Sequence, residues 1–236
     1  MSQIPALDLH HQLERMRAFY AARPTPRPER ELALAHWQAA RLRQSYADLR
    51  GQARYAEALD FFLSDLYGAQ DFSRRDADIE RIYPVMVKVL PETVLDTVAR
   101  AMEVNILSQE LDRALAAKLS GARPIDEASY ARAYRDCANG EDRRRQIVLI
   151  ERVGRDLDRI VKKPIIYATL KLLRAPAKLA GLDEMQRFLE RGFASFRAMR
   201  GAEEFLATLV ARETQIMNRL FEGAPEPFAV QAVLNN

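Results

Sequence analysis

The sequence has one cysteine, Cys137, so no disulfide can form within the chain. That fits a reducing compartment and excludes the small folds that depend on disulfide staples. Glycine is scarce, nine in 236 residues, and neither G-x-G-x-x-G nor a Walker-type loop occurs. A Gly-rich phosphate cradle therefore cannot be built. No serine sits in a G-x-S-x-G elbow, and Cys137 stands in no nucleophile signature. The three histidines are His10, His11 and His36, and none follows a glutamate at the Glu-x-x-His spacing of di-metal helical bundles. His10, His11 and Glu14 can share a helix face, but zinc takes three or four ligands and this trio reads as solvated surface. Neither a metal nor a cofactor is expected. No stretch approaches the roughly 20 apolar residues of a membrane span. Residues 1–23 lack the apolar core of a signal peptide, so a cytoplasmic protein is expected. Charge of one sign is not in large excess either: 36 Lys and Arg against 33 Asp and Glu leave +3. That balance weighs against nucleic acid as a partner.

What is abundant is helix former. Ala, Leu, Arg and Glu outnumber Val, Ile and Thr, and no β-branched run bounded by turn residues suggests a strand. With 48% hydrophobic residues the chain can bury a sizeable core. The expected fold is all-α, a single-domain antiparallel helical bundle of about nine or ten helices. Leu9, Leu13, Met16 and Tyr20 stripe a first helix over about Ala6 to Ala22, and Pro24, Pro26 and Pro28 then hold the chain extended. This divides the chain into a helical arm and Pro-rich linker (1–27), a bundle (28–223) and a tail (224–236) carrying Pro225 and Pro227. Further helices are expected from Pro28 toward Arg50 and from Gln52 to Tyr67, with Gly68 as C-cap. Another starts at Ser73 and is interrupted at Pro84, and the next runs from Glu92 to Leu119. The rest run from Asp126 to about Ala138, over 141–163, from Asp183 with Gln186 as capping partner, and from Gly201 to Phe221. Met185, Phe188, Leu189, Phe193, Phe196 and Met199 recur at helical steps and read as core.

Two segments stand out from this background. The first is Phe61-Phe62-Leu63-Ser64-Asp65-Leu66-Tyr67-Gly68 followed by Asp71-Phe72-Ser73-Arg74-Arg75-Asp76-Ala77-Asp78. Asp65, Asp71, Asp76 and Asp78 could supply an acid/base or cation site, and Arg74 and Arg75 could clamp an anion. The plainer account is a capped helix corner, with acids at the positive end of the dipole. Continued through Ile79-Glu80-Arg81-Ile82-Tyr83-Pro84 and Leu90-Pro91, this stretch resembles an uncharacterised bacterial family of all-helical proteins. The resemblance covers most of the chain. It implies helical structure and a bacterial source, and it brings no activity, cofactor or functional residue with it.

The second segment is Arg159 to Leu182, which holds Lys162, Lys163, Lys171, Arg174 and Lys178 and no acid. Between them lie Ile165, Ile166, Tyr167, Leu170, Leu172 and Leu173. Such a helix can lie on an anionic membrane or line a pocket for an apolar molecule with an acidic head. As a core helix it would send its basic side chains outward to water. Arg143-Arg144-Arg145, beside Glu141 and Asp142, reads as a solvated face.

With no catalytic set in view, the leading expectation is a non-enzymatic binding or adaptor protein acting through protein–protein contacts, as a homo-oligomer. The alternatives are an enzyme or carrier for an apolar, acidic-headed molecule held between helices, and a peripheral membrane protein docking through 159–182.

Overall fold

The computed structural model describes residues 4–22, 28–66, 73–119 and 124–229. Its frame is two long helices, α6 (Glu92–Lys118) and α8 (Gly140–Val161). They lie antiparallel: Gln146 donates to Ser108 at 2.7 Å near one end, and Arg100 donates to Asp156 at 2.5 Å near the other. Between them α7 (Glu127–Asp136) opens on Asp126, whose carboxylate accepts from the Ser129 N–H at 2.7 Å in a capping box. On the other side α8 packs against α12 (Glu203–Glu222), also antiparallel, with Gly140 beside Phe221 and Gly154 beside Leu206. α12 ends on Gly223 at φ +70, a left-handed cap that glycine accepts without strain.

Around this frame sit the remaining elements. α1 (Ile4–Ala21) packs on α6 through Leu9, Leu13 and Met16, all buried. It runs in the same direction as α6, since Arg15 meets Glu110 and Phe19 lies under Arg113. α2 (Glu29–Ser45) and the single turn α3 (Ala47–Arg50) lead to α4 (Ala53–Phe61), which continues as a π-helical turn over Phe62–Leu66. α4 lies antiparallel to α11 (Asp183–Ala198), and α5 (Ser73–Val89), α9 (Pro164–Leu172) and α10 (Arg174–Leu179) complete the chain. The largest core cluster gathers Tyr55, Phe62, Phe193, Phe196 and Phe205 between α4, α11 and α12. A second joins Leu34, Leu115, Tyr130, Ile216 and Leu220, and a third joins α1 to α6.

The protein is an all-α bundle with no strand among the described residues. Its twelve α-helical segments among those residues exceed the nine or ten expected. The excess comes from breaks that need neither glycine nor proline. Tyr46, at φ −119, parts α3 from α2, and Leu173 ends α9 where α10 begins. The opposite happens at Pro84, where an interruption was expected: α5 continues through it to Val89. A proline removes only its own hydrogen bond and bends a helix that is otherwise packed, and Met86 beyond it is buried. Asp183 was expected to cap α11 with Gln186, but it is the first helical residue and pairs with Arg187. The expected cap at Gly68 lies outside the described residues. Of the aromatic and Met stripe on α11, Leu189 faces water.

The α8–α12 crossing depends on Gly154, because a Cβ there would lie 2.4 Å from Leu206 Cδ2, and Leu206 is buried. Gly154→Ala gains about 1 kcal/mol of helix propensity and loses about 2 to overpacking, a net loss of about 1 kcal/mol. Gly154→Val loses more. Gly51→Ala, in a helical backbone with its nearest atom at 3.5 Å, is neutral or stabilising. Urea denaturation of the three variants checks the ordering.

Candidate functional site

α12 carries charge through the interior, and the partners of that charge fix the scaffold. Arg41 on α2 donates to both oxygens of Glu213, at 2.8 and 3.3 Å, and the Tyr46 hydroxyl adds a third bond at 2.8 Å. Arg212, also buried, holds both oxygens of Asp48 at 2.9 Å and donates to the Ser45 carbonyl. Burial opposes the Arg41 charge, yet the Glu213 carboxylate, with Tyr130 and Tyr46, outweighs it and the pKa is raised. Burial, followed by the neighbouring Glu213, pushes the Tyr46 phenol well above its usual 10.0. The hydrogen bond from Arg212 holds Asp48 below the ordinary carboxylate range.

The α11–α12 turn is gripped from behind by Arg54 of α4. Its guanidinium donates to the carbonyls of Met199 at 2.8 Å and Gly201 at 3.1 Å and to Glu204 at 3.1 Å. The Tyr55 hydroxyl donates to the same carboxylate at 2.6 Å. Arg200 at φ +54 and Gly201 at φ +127 make the sharp corner, and Met199 and Ala202 on either side are wholly buried. A non-glycine residue in the left-handed region is strained and persists only where its neighbours enforce it.

The basic segment forms the end of α8 together with α9 and α10. Neither short helix has a buried residue. Ile166, Tyr167 and Leu170 rest on the core, and Tyr167 stacks on Phe193 at 5.0 Å. The opposite face is bare: Ile165 is 71% exposed, Leu172 78%, Leu173 45% and Leu179 90%. Three polar fastenings hold the pair. Gln186 donates to the Leu170 carbonyl at 2.6 Å, and Arg174 donates twice to Glu190 at 2.5 Å. Arg81 of α5 donates to the Ala180 carbonyl at 2.7 Å.

The cations expected to act here have different neighbours. Lys162 pairs with Asp158 at 2.6 Å and Arg174 with Glu190, so both are partly neutralised. Lys171 lies over the Tyr167 ring at 4.4 Å. Lys163 and Lys178 are exposed, with no ion pair among the described residues. The other expected group, Asp65, Arg74, Arg75 and Asp76, has its side chains outside the described residues. The helix bearing the last three does meet the basic segment, since Arg81 bridges the buried Asp78 at 3.1 Å and Ala180. The helix that follows the acidic corner therefore touches the end of the basic segment.

Two surface clefts among the described residues bear on these groups. The smaller, about 260 Å³, opens beside α9 and is lined by Asp158, Lys162, Tyr167, Arg197 and Arg200 among others. Arg197 lies over Tyr167 at 5.2 Å. Neither arginine stands out in the sequence; the available signal is their i, i+3 spacing immediately before Gly201. The larger cleft, about 530 Å³, is at the α7–α8 corner and carries Arg135, Arg144 and Glu222. None of the expected site residues lines it, and Arg135 is already committed to the Leu220 carbonyl at 3.2 Å. Arg143 departs from the solvated face expected of it: it is buried, with its guanidinium 4.8 Å from the Tyr134 ring. Arg145 does reach outward, to Glu103. Among the described residues no three His, Cys, Asp or Glu side chains are grouped to hold a metal ion, and no helix is long and apolar enough to cross a membrane.

The Arg174 hydrogen bond holds Glu190 below the ordinary glutamate range. A carboxylate with a depressed folded pKa stabilises fully above its unfolded value of 4.5 and loses that contribution as pH falls through the folded value. Glu190→Gln should therefore speed amide hydrogen exchange in 166–180 at neutral pH and leave α6, α8 and α12 unchanged. The difference between native and variant protein should vanish as pH falls through the folded Glu190 value, which hydrogen-exchange mass spectrometry resolves.

No curated protein and no solved structure matches this chain. A family described as Domain of unknown function (DUF8198) matches residues 18–227, from within α1 to the C-terminal tail, and the chain belongs to that family.

Proposed function

We propose that this is a non-enzymatic binding protein that docks on an anionic membrane surface through α9 and α10. The observation that carries the reading is the bare apolar face of Ile165, Leu172, Leu173 and Leu179 with Lys163, Lys171 and Lys178 interleaved and no acid from 159 to 182. Exposed large apolar side chains grouped on one element mark an interaction surface. The shape favours a bilayer over a protein. Leu179 stands 90% exposed near Gly181, where an added Cβ would meet nothing within 4 Å. A protruding leucine enters the acyl region of a bilayer without a preformed pocket, whereas a protein partner has to supply one shaped to it. The three lysines add about 1 kcal/mol each near anionic lipid, and burying a leucine adds about 1.5–3 kcal/mol. A cytoplasmic site of action belongs to the same proposal, because the cytoplasmic leaflet is the anionic one. The adaptor reading, with a protein or a second copy on this face, draws on the same side chains and is separated by experiment.

The protein should float with vesicles containing phosphatidylserine and stay behind with neutral phosphatidylcholine vesicles. Leu172→Gln with Leu179→Gln should weaken flotation by roughly tenfold or more. Lys163→Glu, Lys171→Glu and Lys178→Glu together should abolish it at moderate salt. Flotation unchanged in both variants would remove α9 and α10 from the reading. A native protein that never floats, and whose concentration-dependent self-association the leucine variant abolishes, would assign the face to a second copy.

A further inference from the structure

The cleft beside α9 has a composition that docking does not require. It is formed where the end of α8, the start of α9, the end of α11 and the α11–α12 turn meet, and Lys162, Arg197 and Arg200 converge on it with a single carboxylate, Asp158. That carboxylate is already engaged. It accepts from Lys162 at 2.6 Å and from the Ala202 N–H at 3.0 Å, which leaves Lys162 and Asp158 as a neutral pair. Arg197 and Arg200 have no carboxylate partner among the described residues, and Arg197 is oriented by the Tyr167 face at 5.2 Å. The cleft thus has two uncompensated guanidinium groups on a fixed corner.

Guanidinium forks match phosphate oxygens two at a time, and two uncompensated positive charges match a phosphomonoester, which carries close to two negative charges at neutral pH. A carboxylate ligand would leave one cation unmatched. Size points the same way: about 260 Å³ is below the 300–1,000 Å³ of pockets that enclose whole drug-sized ligands, so the cleft takes a headgroup and leaves its tail outside. Pro164 and Tyr167 of α9 line the cleft, and Pro164 is followed directly by Ile165 of the apolar face. The Arg54 grip and the left-handed Arg200 fix the corner before any ligand arrives.

We infer that this cleft binds a phosphomonoester dianion, with Arg197 and Arg200 as the binding residues. The inference rests on the docking reading in making that group a lipid headgroup, and stands apart from it in the chemistry bound. Its test uses the full chain and two probes, glycerol 3-phosphate in solution and phosphatidic acid in vesicles.

Native protein should bind glycerol 3-phosphate in titration calorimetry. It should also prefer phosphatidic acid vesicles to phosphatidylserine vesicles of equal surface charge. Arg197→Gln with Arg200→Gln should lose about tenfold or more for glycerol 3-phosphate and erase the preference, while still floating with phosphatidylserine. The Leu172→Gln, Leu179→Gln variant should do the reverse, losing vesicles and keeping glycerol 3-phosphate. Should the double arginine variant unfold, Arg200→Gln alone, an exposed side chain, gives the same readout. Flotation with no phosphatidic acid preference and no heat from glycerol 3-phosphate overturns the cleft and leaves docking intact. Binding and preference that both survive the arginine variant overturn it equally. Glycerol 3-phosphate binding that the variant abolishes, in a protein that never floats, keeps the cleft as a site for a free phosphomonoester and removes the membrane.

Discussion

The interior charges of α12 are the constraint on which the arrangement depends. Taking an ion out of water costs several kcal/mol unless it is paired and hydrogen-bonded. Glu213 and Arg212 are adjacent on a helix whose other inward residues are Phe205, Leu206, Leu209, Ile216, Met217 and Leu220. They can sit there only if α2 and α3 bring Arg41, Tyr46 and Asp48 to meet them. A slide of α2 by one turn would move the Arg41 fork off Glu213 and strand both charges. The apolar contacts around them tolerate such a slide far better, because Leu and Ile surfaces are interchangeable at modest cost. The ion pairs therefore fix register, and the apolar clusters supply most of the stability.

From that fixed register the rest follows in order of decreasing hold. α8 is pressed on α12 at Gly154, and α6 is tied to α8 through Asp156 and Ser108. α4 is placed by the aromatic cluster and by Arg54 on the α11–α12 turn. α9 and α10 come last, held by three aromatic or aliphatic side chains and a few polar fastenings at their edge. Elements with little buried surface open at low free energy, so this pair can adjust to a surface without disturbing the core.

Much of the fold was legible because helical periodicity and capping are local. Leu9, Leu13 and Met16 on α1, or Asp126 ahead of α7, announce themselves within a few residues. Boundaries set by tertiary packing were not legible: α5 passes through Pro84 because Met86 beyond it has a place in the core. Arg143 illustrates the same limit. Its neighbours in sequence are solvated, and only the fold puts the Tyr134 ring over it. The basic segment was visible as a run of charges, but which lysines are already neutralised depends on Asp158 and Glu190, and Glu190 lies on a different helix. The cleft was the least legible part. Arg197 and Arg200 are ordinary surface residues on paper and gain meaning only when Lys162 and Tyr167 arrive from elsewhere in the chain.

This order of hold separates two tasks that a surface-binding protein has to perform. General attraction comes from apolar area and net charge, and it works on a mobile element because neither term demands exact geometry. Discrimination between headgroups needs donors fixed to within a few tenths of an ångström, since a misplaced hydrogen bond contributes little. The molecule places its apolar and lysine side chains on α9 and α10, its weakly held edge. Arg200 instead sits on the turn gripped by Arg54, directly before the helix that carries the Glu213 and Arg212 anchors. On the proposed docking function, loosening the edge would cost attraction, whereas loosening the α12 register would cost selectivity and stability together.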